Sequence, residues 1–499
     1  MNTNQQHIHF IGISGSAIAP LAIMMKEKGW KVTGSDANCW EPAKSLFEKA
    51  GIEVATGEAQ NDLTNVRAAD IVIIGGAPLM INTENPEYVE AKRLGKELHG
   101  YAYLIRKYVV KPNNIVITGS YGKTTMSAMT AWTLTVAGKN PSFMSGGKPL
   151  NFDTGVKSTD SQWSVEEGDE YFSVFHHDEV PRFYRYEPKY AVLTATQHDH
   201  VNIYPTEESY IKAFRLLSDK VIENQGKLYI SATGENNEKI LKYHAENGGK
   251  FLTYHVEDLP NRISATLKTD ATQATNPNGA IDYTARNIEF NENFTKFDVY
   301  LHDELIGSFE TPLMGIHNVE NSLGVIAVLH DLGIDVEAIR EGVKTFKNVA
   351  RRLQYKGKLD TGAKVYDDFA HSPPKVKATL DALRTRFPKQ KIVVMFSPRL
   401  SNNEGKESIE PYEGMFDQAD FVIIPKIIVK ASQDKSKRIF GRDFVEIISR
   451  TQPNVAYMPK QEQIIDYLKE NTDDNSIFVI MSAKSQDELL EALEVKESE

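Results

Sequence analysis

The residues with the most chemistry in this chain are Gly119, Ser120, Tyr121, Gly122, Lys123, Thr124 and Thr125, read as GSYGKTT. They follow an apolar, β-branched run, Ile115 to Thr118, and a helical pattern begins near Met126. A strand, a glycine loop and a helix in that order build a phosphate cradle. Loop N–H groups and the helix N-terminus face an anion, Lys123 adds a point charge, and a threonine hydroxyl can hold Mg²⁺. The usual pattern places a further glycine where this chain has Ile117, so only the shorter GxxGKTT is present. Taken alone, these residues leave open a plain strand–turn–helix with a solvated lysine.

Other clusters sit where strands should end. The run Glu166-Glu167-Gly168-Asp169-Glu170 follows a strand at Trp163 to Val165, and Gln197-His198-Asp199-His200 follows one at Ala191 to Thr196. In a parallel sheet such ends face the ligand crevice, and acids and histidines there suit Mg²⁺ or Mn²⁺ bridging phosphate oxygens. Each cluster alone also reads as a solvated turn or a satisfied polar corner. Asn318 and Asn321 open a helix that runs to about His330, after Gly315 and His317. Their spacing puts both on one helix face, where they can read an adenine edge, or Asn318 can cap the helix. Arg351 and Arg352 are ordinary surface charge or a phosphate clamp.

The N-terminus supplies a second nucleotide-like pattern. A strand at His7 to Ile13 runs into a small-residue turn of Gly12, Ser14, Gly15, Ser16 and Ala17, and a helix spans Ile18 to Lys28. A second strand, Trp30 to Thr33, ends in Gly34, Ser35 and Asp36. An acid about 20 positions after such a turn is the layout of a dinucleotide site. The full GxGxxG is absent, so a Rossmann-like half without nucleotide stays open. Ile71 to Ile74 is a further buried strand, followed by Gly75-Gly76-Ala77, and Asn85-Pro86-Glu87 starts a helix.

The chain has 499 residues, 41% hydrophobic and 25% charged, which fits a globular protein of roughly three domains at ~150 residues each. A net charge of −11 argues against a general nucleic-acid binder. One cysteine, Cys39, permits no intrachain disulfide and points to the cytoplasm. The polar start MNTNQQ shows no secretory signal, and no apolar run of about 18 residues suggests a membrane span. Strand and helix patterns alternate, with an antiparallel flap over residues 262–312 and a last α/β segment with strands at Ala363 to Tyr366, Lys391 to Phe396, Phe421 to Ile424 and Ile477 to Met481. The expected fold is therefore α/β. The domains expected are 1–111, Rossmann-like; 112–346, a P-loop ATPase with the flap; and 347–499, Rossmann-like.

In order along the chain, HIHFIGISGSA with GSD, TGSYGKTT, GGKPLN, EEGDE, HDH, HNVEN, ARR and DDFAHSP resemble the Mur ligase family, the ATP-dependent amide-forming enzymes of peptidoglycan assembly. The N-terminal motif resembles the branch that uses UDP-N-acetylmuramate. Within it, the segment from Glu167 to Pro205, together with FSPRLSN, is similar to ligases that add a recycled L-Ala-γ-D-Glu-meso-diaminopimelate tripeptide. The alternative is addition of L-alanine. The resemblance implies roles residue by residue. Lys123 and the 119–125 loop hold ATP phosphates. Thr124, Glu167 and His200 hold Mg²⁺ or Mn²⁺. His317, Asn318 and Asn321 meet the nucleotide, with Asp368 and His371, and Arg352 meets the phosphate or the intermediate. Gly12, Ser14, Gly15, Ser16, Ala17, Ser35, Asp36 and Gly75 bind the sugar nucleotide. His371 and Arg399 face the acceptor. The chain departs from the family pattern at Tyr121 (usually His), Gln197 (usually Glu), Ala195 (usually Asn) and Ser372 (often His). Rival classes are a nicotinamide oxidoreductase built on the 12–17 turn, a metal hydrolase built on His176, His177, His198, Asp199 and His200, and a non-catalytic P-loop module.

Overall fold

The protein is described by a computed structural model, which covers residues 5–198, 200–260, 281–399, 405–427 and 437–496. Asp199, the first part of the expected flap and part of the FSPRLSN segment lie outside the described residues. The architecture is α/β with three principal sheets, built from short apolar runs buried on both faces, as parallel strands require. Burying each such Ile or Val contributes about 1.5–3 kcal/mol.

The chain divides into two compact units. The first contains Met1–Ile288, Lys296–Thr311 and Val319–Lys347. It opens with a parallel sheet of β1 (His7–Ile11), β2 (Lys31–Asp36), β3 (Val54–Thr56), β4 (Ile71–Ile74) and β5 (Glu97–Gly100), in the order β3-β2-β1-β4-β5. Helices α1 (Ile18–Glu27) and α2 (Pro86–Arg93) flank it. The strand order reverses between β1 and β4, so the crevice lies at their C-terminal ends. β2 runs further than the sequence suggests, because Gly34 to Asp36 pair with Val54 to Thr56.

The second sheet of this unit has ten strands. They are β6 (Asn113–Thr118), β7 (Ser142–Met144), β8 (Val156–Lys157) and β9 (Trp163–Gly168), then, past a separate small hairpin of β10 (Phe172–Val174) and β11 (Asp178–Pro181), β12 (Tyr190–Leu193), β13 (Lys227–Ser231), β14 (Lys250–Val256), β15 (Tyr283–Phe290), β16 (Thr295–Leu301) and β17 (Glu304–Thr311). The sheet order is β17-β16-β15-β14-β13-β12-β6-β9-β7-β8. β6 thus sits between β12 and β9, again a point where the order reverses. Helix α3 (Lys123–Val136) follows it, three residues earlier than the periodicity suggests.

The second unit contains Glu289–Thr295, Pro312–Asn318 and Asn348–Glu499. Its sheet, in the order β18-β19-β23-β20-β21-β22, uses β18 (Gln354–Lys358), β19 (Lys364–Asp368), β20 (Lys391–Ser397), β21 (Phe421–Ile424), β22 (Val455–Tyr457) and β23 (Ser476–Ser482). Helix α4 (Ile316–Asp331) starts at the edge of this unit, and α5 (Pro373–Arg386) lies within it. Arg386, at the end of α5, is buried and donates to Glu292 O, Thr295 Oγ1 and Leu313 O, which ties the separate pieces of the unit together. Among the described residues, no helix is long and apolar enough to cross a membrane.

Candidate functional site

The phosphate loop has the geometry its composition calls for. Gly119 (φ +125°) and Gly122 (φ +83°) adopt backbone that L side chains rarely reach. A Cβ on Gly119 would stand 2.1 Å from Thr194 Oγ1, and one on Gly122 would stand 2.3 Å from Asn321 Oδ1. Helix α3 has no side-chain cap, so its first N–H groups keep their capacity for an anion. The loop is pinned to the end of β12: Ser120 N donates to Ala195 O, and Thr194 Oγ1 to Tyr121 O.

Lys123 Nζ lies over this loop, 2.6 Å from Gly119 O and 2.8 and 3.0 Å from the two oxygens of Glu170. Burial works against its charge, but Glu170, Asp169 and Glu167 outweigh burial and raise its pKa. The ammonium therefore stays charged. Glu170 is fully buried and also meets His200 Nε2 at 3.0 Å. Thr124 Oγ1 donates to Glu167 Oε1 at 2.9 Å, and Gly146 N to Glu167 Oε2 at 2.5 Å. Burial raises the pKa of Glu167, opposed by Gly146 N–H, Lys123 and Thr124.

The acidic run is thus no solvated turn. β9 continues through Glu166 and Glu167, and both, like Glu170, are buried. A hydroxyl and a carboxylate side by side at a phosphate loop are hard oxygen donors, and they fit Mg²⁺ or Mn²⁺. The His200 corner fits a second ion less well. Gln197 is neutral, and its Oε1 accepts Tyr121 Oη at 3.1 Å. The two departures from the family pattern therefore touch one another. Among the described residues, which do not include Asp199, no group of three or more His, Cys, Asp or Glu could hold a metal ion.

At the N-terminal crevice, Gly12 takes φ +79°, and a Cβ there would stand 2.7 Å from Pro78 Cγ. Gly12 N and Ile13 N donate to Ser35 O, Ser14 N to Asp36 Oδ2, and Gly75 N to Ile11 O. Gly15 and Ser16 are exposed at the turn, with Ser14 and Ala17 half-buried. Ser35 departs from its expected role. Its hydroxyl is buried and donates inward to Glu87 Oε2, so it shapes the turn rather than lining the crevice. Glu87 also meets His9 Nε2 at 2.9 Å, and Thr33 Oγ1 bridges His9 and His7. This network was not legible in the sequence, where Glu87 reads as an acid at a helix start.

Asn318 and Asn321 lie in the first turns of α4 and are largely buried. Asn318 is not the N-cap. The helix starts at Ile316, and Asn318 Nδ2 donates back to Met314 O at 2.8 Å. In the second unit, burial lowers the pKa of His317 against the pull of Asp368. Asp368 accepts from Leu353 N, Ala370 N and Thr379 Oγ1, which commits its carboxylate to holding the loop. His371 Nδ1 lies 2.7 Å from Phe369 O. Its pKa is lowered by burial, against that carbonyl and aided by Lys375, Arg399 and Arg352. The structure thus sets the cations Arg352 and Arg399 near His371, where they disfavour its protonation.

The two adjacent arginines divide their labour. Arg351 donates to Ser482 O and Lys484 O and pairs with Asp367 at 3.2 Å. Arg352 lies over the Phe369 ring, 5.3 Å from its centre. Arg351→Ala is therefore expected to lower Tm, by loss of about 2–4 kcal/mol. Arg352→Ala should leave Tm in place and cut turnover by about 10²-fold or more. Thermal melts beside steady-state rates separate the two, and equal Tm losses would contradict this division.

Family models describe the chain almost throughout: "Mur ligase family, catalytic domain" over residues 7–108, "Mur ligase middle domain" over 117–329 and "Mur ligase, glutamate ligase domain" over 351–484. The chain belongs to the Mur ligase family. It is an ATP-dependent amide ligase with the three-domain α/β architecture of that family. The UDP-N-acetylmuramate–L-alanine ligase of Acetivibrio thermocellus is 30% identical over 481 residues, covering 96% of this chain and 93% of that protein. The solved UDP-N-acetylmuramate–alanine ligase of Thermotoga maritima superposes with a TM-score of 0.75 at 21% identity, covering 98% of both chains. The murein peptide ligase of Psychrobacter arcticus gives a TM-score of 0.66 at 22% identity, covering 99% of this chain and 100% of that one.

Glu170 and Arg182 are the functional candidates that sequence reasoning missed. Glu170 lay inside the quoted acidic run but had no assigned role. Arg182 lay inside the Glu167–Pro205 segment but likewise had no assigned role.

Proposed function

We propose that this Mur ligase joins the carboxylate of UDP-N-acetylmuramate to the amino group of L-alanine. The observation that carries this reading is the Acetivibrio thermocellus relative, an L-alanine ligase by name, matched over 96% of this chain. It outweighs the likeness of the Glu167–Pro205 segment to tripeptide ligases, which spans far less of the chain.

A carboxylate resists amines because its carbonyl carbon is electron-rich and oxide is a poor leaving group. A carboxylate oxygen first attacks the γ-phosphorus of ATP, giving an acyl phosphate and ADP. The amine then attacks the carbonyl carbon, phosphate leaves, and the nitrogen sheds its proton. Bringing two anions together requires fixed positive charge. Lys123 and the loop N–H groups supply it at the β- and γ-phosphates. Thr124 and Glu167 would hold Mg²⁺, which would supply further charge neutralisation to the phosphates, and His200 lies against the neighbouring Glu170. Asn318 and Asn321 face the adenine. The 12–17 turn, Asp36 and Gly75 hold the sugar nucleotide. Arg352 and Arg399, beside a neutral His371, supply the positive charge that receives anionic groups in the second unit.

Phosphate release tests this directly, with ATP and UDP-N-acetylmuramate offered beside either L-alanine or the tripeptide. L-Alanine should support turnover. Release with the tripeptide alone would restore the tripeptide reading. UDP-N-acetylmuramate, not NADH, should raise Tm, and stabilisation by NADH alone would favour an oxidoreductase.

A further inference from the structure

Lys123 is already committed to Gly119 O and Glu170, so the substrate carboxylate needs a cation of its own. Within the first unit that carboxylate must travel from the turn after β4 toward the loop after β6. Arg182 stands there. Its guanidinium pairs with Asp169, next to Glu170, and its Nη2 sits where a Cβ on Gly76 would come within 2.5 Å. The guanidinium thus packs directly against the backbone of Gly76.

The side chain is only 11% exposed. Its Cζ lies 4.9 Å from the Tyr101 ring centre and 5.8 Å from that of Tyr171. These rings fix the guanidinium, and the Tyr101 hydroxyl also hydrogen-bonds to it. Nη1 takes Asp169, yet Nε is buried with no partner among the described residues. A buried, unmet N–H is costly, and a carboxylate in the plane of the guanidinium would meet it.

We propose that Arg182 receives the carboxylate of the sugar-nucleotide acid along its Nε–Nη2 edge and holds it for phosphorylation. This rests on the UDP-N-acetylmuramate reading above. A bidentate guanidinium–carboxylate pair gives both the charge and the orientation that attack on phosphorus needs.

Isothermal titration with two ligands tests it: UDP-N-acetylmuramate, and UDP-N-acetylglucosamine, which lacks the carboxylate. Wild-type protein should prefer the acid. Arg182→Gln should lose about 10- to 100-fold of that preference while keeping its affinity for UDP-N-acetylglucosamine. Arg182→Lys keeps a cation near Asp169 but not the fork, so it should stay folded and lose part of the preference. A merely structural arginine would weaken both ligands together, and an unchanged ratio in both variants overturns the proposal. Wild-type protein that binds neither sugar nucleotide overturns the functional reading itself, and this proposal with it.

Discussion

Lys123→Ala is expected to lower ATP-dependent ADP release by on the order of 10³-fold. The ammonium is the only lysine at the loop mouth that the described structure places against both the loop backbone and the acidic run. Its raised pKa keeps it charged across the neutral range in the unaltered protein. The sequence alone suggests a variant with its fold intact, but the structure predicts more. Glu170 is fully buried, and without Lys123 its carboxylate keeps His200 as its remaining ionisable partner. An uncompensated buried charge costs about 3–5 kcal/mol, so Lys123→Ala should also melt earlier. Adding Glu170→Gln should restore much of the Tm and none of the activity. Single-turnover ADP release and thermal melts of the three proteins check this. Near-normal ADP release by Lys123→Ala would remove the loop from the reaction.

What was legible in the sequence was local. Strand, glycine loop and helix follow one another in GSYGKTT, and the apolar runs of β4, β6 and β23 announce buried parallel strands. What was hidden depends on partners far along the chain. Gly34 to Asp36 look like a turn until Val54 to Thr56 pair with them. Glu167 and Glu170 read as solvated until Thr124, Gly146, Lys123 and His200 fold onto them. Tyr121 and Gln197 look like separate departures from a family pattern, yet they share a hydrogen bond. A substitution at one position of a packed site changes what its neighbour must be. Nothing in the dipeptide Arg351-Arg352 says which guanidinium braces the carbonyls after β23. Ser35 and Asp36 are adjacent in β2, so their side chains point to opposite faces, and only the fold reveals that Glu87 waits on the Ser35 side.

The same alternation along β9 yields the second large effect. Glu167 faces the phosphate loop, so Glu166 faces the other side of the sheet, where it is fully buried between Val116 of β6 and Met144 of β7. Neither of its carboxyl oxygens has a partner in good hydrogen-bond geometry. Burial pushes its pKa up to about 8, and the nearby Ser164, Arg106 and Lys111 pull it back only in part. In the unfolded chain a glutamate titrates near ~4.3. Between these values the native state keeps a proton that the unfolded state has lost. Stability from this group is therefore complete at low pH and declines as pH rises toward about 8. The decline amounts to roughly 3–5 kcal/mol. Glu166→Gln keeps the shape and removes the titration. Its stability relative to wild type should therefore grow steadily from pH 5 to pH 8, seen as diverging urea midpoints. Parallel pH profiles for the two proteins would mean that Glu166 is ionised in the native state and paired with Arg106 or Lys111.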